Sequence, residues 1–175
     1  MPEISVNAKT STSNAKIPTS TAKIDRQFIP TASTNLPIYI AQANTSPASV
    51  EQAVHNQVNQ YRAQRGLPPL SLDERISGQA RTHSQNMASG AVPFSHNGFA
   101  QRVQAIGGMI PYRAAAENVA YNQGYNDPAT QAVQGWLRST GHRQNIEGNY
   151  TLTGVGVARN ARGEYYFTQI FIRSR

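Results

Sequence analysis

The chain has 175 residues, with 16 Lys and Arg against nine Asp and Glu, four His and no Cys. That length accommodates one ordinary domain with an appended tail rather than two full domains. Without Cys there is no disulfide scaffold, Cys-ligated zinc, iron–sulfur cluster or cysteine nucleophile, and no apolar run approaches the roughly 20 residues of a membrane span.

Residues 1–48 differ in composition from the rest. They hold all three lysines, five of the ten prolines and 13 Ser or Thr, whereas all thirteen glycines come at or after Gly66. With Phe28 and Tyr39 as its aromatics, the segment buries too little apolar surface to offset the entropy of ordering it. It reads as a disordered, low-complexity tail or linker. Ala-Lys recurs at a spacing of seven, at Lys9, Lys16 and Lys23, without the apolar seam of a coiled coil. Ala41-Gln42-Ala43 has the form of a signal-peptidase site, but Pro30 and Pro37 break the apolar core that a signal peptide needs before it.

From residue 49 onward the pattern is that of one domain. Ser49 and Gln52 resemble a capping box, and Val50, Ala53, Val54, Val58 and Tyr61 follow one helical face to a stop at Gly66. Ser71 and Glu74 open a second helix with Leu72, Ile76, Ala80 and Met87 on one side, ending at Gly90. A third runs near Phe99–Ile106 and stops at Gly107-Gly108. Asp127-Pro128 joins an N-cap to a first-turn proline and leads a fourth helix through Ala132, Val133, Trp136 and Leu137. Leu152–Ala158 and Tyr165–Ile172 are rich in Val, Ile, Tyr and Phe and flank Asn160-Ala161-Arg162-Gly163, which predicts a hairpin. Helices first and strands last predict an α+β fold, with helices packed on an antiparallel sheet.

Few polar residues carry chemistry. His55 falls on a polar helix flank and reads as solvated; His83, near the Ile76, Ala80, Met87 stripe, reads as a partly buried structural residue. His96 (Phe94-Ser95-His96-Asn97-Gly98) precedes a helix and His142 (Ser139-Thr140-Gly141-His142) follows one. Ligating and catalytic groups favour such loop positions, where helix capping is the plain alternative. Glu117 stands among Ala114, Ala115, Ala116, Val119 and Ala120, where a buried carboxylate needs partners. Two imidazoles and a carboxylate suit a divalent metal such as zinc, or an acid/base pair. Their separations of 21 and 25 residues do not establish proximity. HExxH, GxSxG, Walker and GxGxxG patterns are absent, and Gly154-Val155-Gly156 fits close backbone packing within a strand. The 12 arginines of residues 49–175, against seven acids, are scattered singly. They suit general attraction to an anionic surface rather than nucleic-acid recognition.

Taken in order, several fragments between about Val50 and Ile172 resemble a CAP domain, closest to the short bacterial SCP-domain members of the cysteine-rich secretory, antigen 5 and pathogenesis-related superfamily. The fragments are Asn59-Gln60-Tyr61-Arg62, Gly66-Leu67-Pro68-Pro69-Leu70, Phe94-Ser95-His96, Glu117-Asn118-Val119-Ala120, Trp136 to Ile146, Thr153 to Val157, and Tyr165 to Phe171. The resemblance implies an α–β–α sandwich with a central antiparallel sheet over residues 49–175, and a solvent-open cleft in which His96, Glu117 and His142 match three of four family positions. The fourth, an acid, falls at or near Ser139. The same resemblance implies an extracytoplasmic, secreted or envelope, monomeric module. Its cleft (His96, Glu117, His142, Ser139, Asn118) binds a small ligand, lipid or envelope component without catalysis, and zinc on His96 and His142 with Glu117 is admitted. The alternative is a peptidase-like hydrolase using Glu117 and His142, with Ser139 as a conceivable nucleophile.

Overall fold

The computed structural model describes the backbone of residues 3–6 and all of residues 45–175. The Ala-Lys repeat and the Ala41-Gln42-Ala43 pattern lie outside the described residues. In chain order the elements are β1 (Glu3–Val6), α1 (Pro47–Gln64), β2 (Ser71–Leu72), α2 (Glu74–Ser89), α3 (Phe99–Gly107), β3 (Tyr112–Asn122), α4 (Pro128–Arg138), α5 (Thr140–Glu147), β4 (Leu152–Arg159) and β5 (Tyr165–Ser174). One sheet of order β1-β3-β5-β4-β2 runs through the middle. Its three long strands are antiparallel, with Glu117 opposite Ile170 and Gly156 opposite Thr168. Both edges carry a short parallel strand, β1 on Ala114–Glu117 and β2 on Leu152 and Thr153. The sheet is therefore mixed at its margins, and a four-residue strand lies within the segment read as a tail.

Each face of the sheet is covered by helices, which makes the α–β–α sandwich. On one face, Val54 and Val58 of α1 and Val133 and Trp136 of α4 pack on Ala116, Ala120, Val155, Val157, Phe167 and Phe171. On the other, Ile76 and Ala80 of α2 and Phe99, Val103 and Ile106 of α3 pack on Ala115, Ile170 and Ile172. Burial of these side chains at about 25 cal/mol per Å² is the main stabilising term.

Local chemistry sets the element ends. Ser46, not Ser49, caps α1: its Oγ accepts from Ser49 N at 3.2 Å, and Pro47 fills the first turn, where its missing N–H costs nothing. Asp73 rather than Ser71 caps α2, because Ser71 and Leu72 are drawn into pairing with β4. Asp127 caps α4 as its Asp-Pro signal predicts, accepting from Thr130 N at 3.0 Å. Besides the two short edge strands, β3 and α5 were not foreseen. β3 is rich in alanine, a weak strand former, but small side chains on both of its faces let helices close in. Ser139 is at once the C-cap of α4 and the N-cap of α5, so His142 lies on a helix and not in a loop.

Gly154 and Gly156 hold α2 tight against β4. A Cβ at Gly156 would overlap the backbone of Ala80 and Arg81, and one at Gly154 that of Ile76 and Ser77. This is the close backbone approach expected of the G-x-G. Ser84 Oγ then donates to Gly156 O at 2.9 Å and shares a hydrogen bond with the Thr168 hydroxyl at 2.9 Å, locking the helix to two strands.

Candidate functional site

Three segments from different parts of the chain converge on the middle of β3. Glu117 is fully buried, on the α3 side of the sheet. Arg102, from α3, grips it with a fork: Nε donates to Oε2 at 2.9 Å and Nη2 to Oε1 at 2.8 Å. Arg102 falls three residues after Phe99, on the flank of the apolar stripe that docks α3, so docking the helix delivers the guanidinium to the carboxylate. His96 approaches from the loop after α2, its Nδ1 2.9 Å from Glu117 Oε1. Such charge-assisted pairs are the strong hydrogen bonds of a protein interior.

The loop bearing His96 is fastened from three sides. His83 donates from Nε2 to Ser95 O at 2.9 Å, Ser95 Oγ accepts from Asn97 N at 3.2 Å, and Arg102 Nη1 donates to Asn97 O at 2.9 Å. Gly98 ends the loop at φ 79°, in the left-handed region, with the Arg102 guanidinium 3.2 Å from where its Cβ would lie. His83 is thus the structural residue expected of it. His55 is not merely solvated: its ring lies 3.0 Å from Leu70 O, helping to hold the loop that follows α1.

His142 enters from the opposite side of β3. Asn118, next along the strand and facing the other way, donates to His142 O at 3.1 Å. Asn145 donates to Asn118 Oδ1 at 2.9 Å and Glu117 O at 3.2 Å, and Trp136 Nε1 to Val119 O at 3.0 Å. These bonds seat α4 and α5 on β3 and bring the His142 ring to 6.4 Å from that of His96, centroid to centroid, tilted by 36°.

His96, Glu117, His142 and Asn118 are therefore neighbours. Arg102 and Asn145 were missed, although a buried carboxylate demands a cation and Arg102 is the charged residue at a core-flanking position of α3. Ser139 caps α5 without a side-chain hydrogen bond to it. Access is narrow: His96 and Arg102 keep 11% of their side-chain surface exposed, while Glu117 and His142 keep none. Cavities of about 440 and 420 Å³ open elsewhere, the first between α2 and the β4–β5 hairpin and the second among α1, α2 and β4, sharing Gln85, Ala158 and Arg159 and including none of the site residues.

A divalent cation does not fit this donor set as arranged. Both Glu117 oxygens are taken by a guanidinium whose positive charge would face the ion, and among the described residues no three His, Asp or Glu side chains surround a common point.

Burial, reinforced by the Arg102 charge, pushes the pKa of His83 below its ordinary value of 6.5. The unfolded chain then binds more protons than the folded one below that value, so this contribution to stability is complete above about pH 6.5 and is lost as the pH falls toward the lower folded pKa. Denaturation midpoints should drop between about pH 7.5 and about pH 5.5, and by a smaller margin in His83→Gln. An equal drop in both proteins removes His83 as the cause.

Comparison with known proteins agrees with this architecture. Residues 55–171 match the CAP, or cysteine-rich secretory protein, family. Two curated Bacillus subtilis (strain 168) proteins are similar to the chain. One, the uncharacterized membrane protein YlbC, is 35% identical over 129 residues, covering 70% of this chain and 34% of its own length. The other, the uncharacterized protein YkwD, is 34% identical over 136 residues, covering 74% of this chain and 49% of its own length. The chain thus spans a third to a half of the curated relatives it matches. An extracellular SCP-domain protein of Bacillus anthracis superposes with a TM-score of 0.62 at 29% identity, over 80% of this chain and 45% of that one. An outer surface protein of Borrelia burgdorferi, at 13% identity, shares the fold with a TM-score of 0.63 over 74% of this chain and 96% of that one. Family match and topology agree, and the chain belongs to the cysteine-rich secretory protein (CAP) family.

Proposed function

We propose that the chain is an extracytoplasmic, monomeric binding module whose site around His96, Glu117 and His142, with Asn118 and Ser139 at its margin, receives a small organic ligand, a lipid headgroup or an envelope component through hydrogen bonds, without catalysis. The observation that carries this reading is the Nε2 atom of His96, which is buried and has no hydrogen-bond partner among the described residues. A buried polar atom without a partner costs roughly 1–3 kcal/mol, which a ligand supplying one would recover. Location outside the cytoplasm is supported by the extracellular SCP-domain neighbour and by the outer surface protein of the same fold. No helix among the described residues is long and apolar enough to cross a membrane.

The test is to follow the histidine ring signals by NMR while titrating short peptides, saccharides and lipid micelles into the full chain. The expected result is one hydroxyl- or amide-bearing class that moves the His96 and His142 rings together and binds about tenfold more weakly to His96→Ala, the equivalent of one hydrogen bond at about 1.4 kcal/mol. Binding indifferent to that substitution, or no binding at millimolar concentration, rejects the reading.

One observation favours the hydrolase alternative: His96 paired to Glu117 is the base-and-orienter half of a catalytic set. Turnover of a peptide or ester that is abolished by His96→Ala would establish it over simple binding.

A further inference from the structure

The hydrogen bonds around Glu117 fix more than its own position. A carboxylate accepts through both oxygens, and here a guanidinium donates to each, at 2.9 Å to Oε2 and 2.8 Å to Oε1. Held in this way it is an acceptor only, so the proton in the 2.9 Å contact with His96 belongs to the imidazole at Nδ1. A neutral imidazole carries one proton, which leaves a bare lone pair at Nε2, the atom that is buried without a partner. The remaining Arg102 nitrogen, Nη1, donates to Asn97 O, one residue beyond His96. Arg102 therefore holds the carboxylate end of the histidine–carboxylate bond and the backbone of the residue that follows the histidine.

We propose that Arg102 is a positioning residue: by clamping both oxygens of Glu117 and tethering the Asn97 carbonyl, it fixes His96 as the Nδ1–H tautomer and sets Nε2 as the acceptor that the site offers to a ligand's hydroxyl or amide N–H. The proposal rests on the binding reading above and deepens it, by making the recognised group a hydrogen-bond donor rather than a cation or a second acceptor. Lysine cannot replace arginine here, because a point charge holds one oxygen where the planar fork holds two.

A role confined to stability would leave the tautomer unchanged, and this separates the two. Long-range proton–nitrogen correlation spectra of the labelled full chain at about pH 8 read the protonated nitrogen of each ring directly. His96 is expected to carry its proton at Nδ1 in the wild type. Folded Arg102→Gln should show a mixture of tautomers, and Arg102→Lys should restore only part of the preference. Should Arg102→Gln not fold, the double variant Arg102→Gln/Glu117→Gln removes both buried charges together and is expected to lose the preference likewise. An Nε2–H proton on His96 in the wild type overturns the proposal. So does a wild-type pattern in the folded single or double variant. Because no ligand enters this experiment, its failure leaves the binding reading standing, and failure of ligand binding leaves the tautomer result intact.

Discussion

Replacing Glu117 with alanine should lower stability by about 3–5 kcal/mol, the usual cost of removing one partner of a buried ion pair. The side chain is fully buried, and its loss leaves the Arg102 guanidinium, 11% exposed, without its counter-charge and His96 Nδ1 without an acceptor. A small domain has only about 5–15 kcal/mol in total, so the variant should be largely unfolded or melt far below the wild type. Glu117→Gln should lose less, since the amide keeps the shape and one acceptor for the fork. Urea titration of the three proteins measures the differences. A cost below about 1 kcal/mol for the alanine variant means that the pair is solvated and that Arg102 does not depend on Glu117.

The second large effect is expected far from any charge. Gly156→Ala should cost about 3 kcal/mol or more, at or beyond the upper end for overpacking. The added methyl has no flexible side chain to displace; it meets the backbone of Ala80 and Arg81 in α2. To accommodate it the helix must lift off β4, which draws the fully buried Ile76 and Ala80 from the core and breaks the Ser84 bonds to Gly156 and Thr168. Gly78→Ala provides the contrast. It lies within α2 with no atom inside 4 Å of the new Cβ, so alanine there should stabilise by about 0.5–1 kcal/mol through helix propensity. The opposite signs of two chemically identical substitutions are read from one set of thermal melts. A neutral Gly156→Ala contradicts the tight seating of α2.

How much of this was legible in the sequence varies by element. Helices with a strong punctuating signal were, as with Asp127-Pro128 and the Gly90 stop, because capping and left-handed stops are local chemistry. The β4–β5 hairpin was legible from its β-branched and aromatic runs. β3 was not, since Ala114-Ala115-Ala116 has no strand propensity of its own; its state is imposed by ten residues of pairing with β5 and by helices on both faces, which are non-local facts. The same distinction holds at the site. Glu117 stood out as a carboxylate in an apolar setting that requires a partner, and His96 and His142 by their places beside helix ends, whereas their proximity depends on how β3 is seated. Arg102 was discoverable in principle, from the flank it occupies on α3, but its partner lies 15 residues away across a turn and could not be assigned. Asn145 completes with Asn118 the seam that brings α5 to β3, and nothing in its local sequence distinguishes it from a solvated amide.

With both Glu117 oxygens held by Arg102, the geometry points to a charge-compensated hydrogen-bonding site at His96, Glu117 and Arg102 rather than a cation-binding one. Calorimetric titration of zinc into the full chain at neutral pH, repeated on His96→Ala, tests it most directly. The geometry predicts no micromolar uptake that depends on His96, because Arg102 occupies the carboxylate an ion would need. Uptake of one ion per chain at micromolar zinc, abolished by His96→Ala, would contradict it.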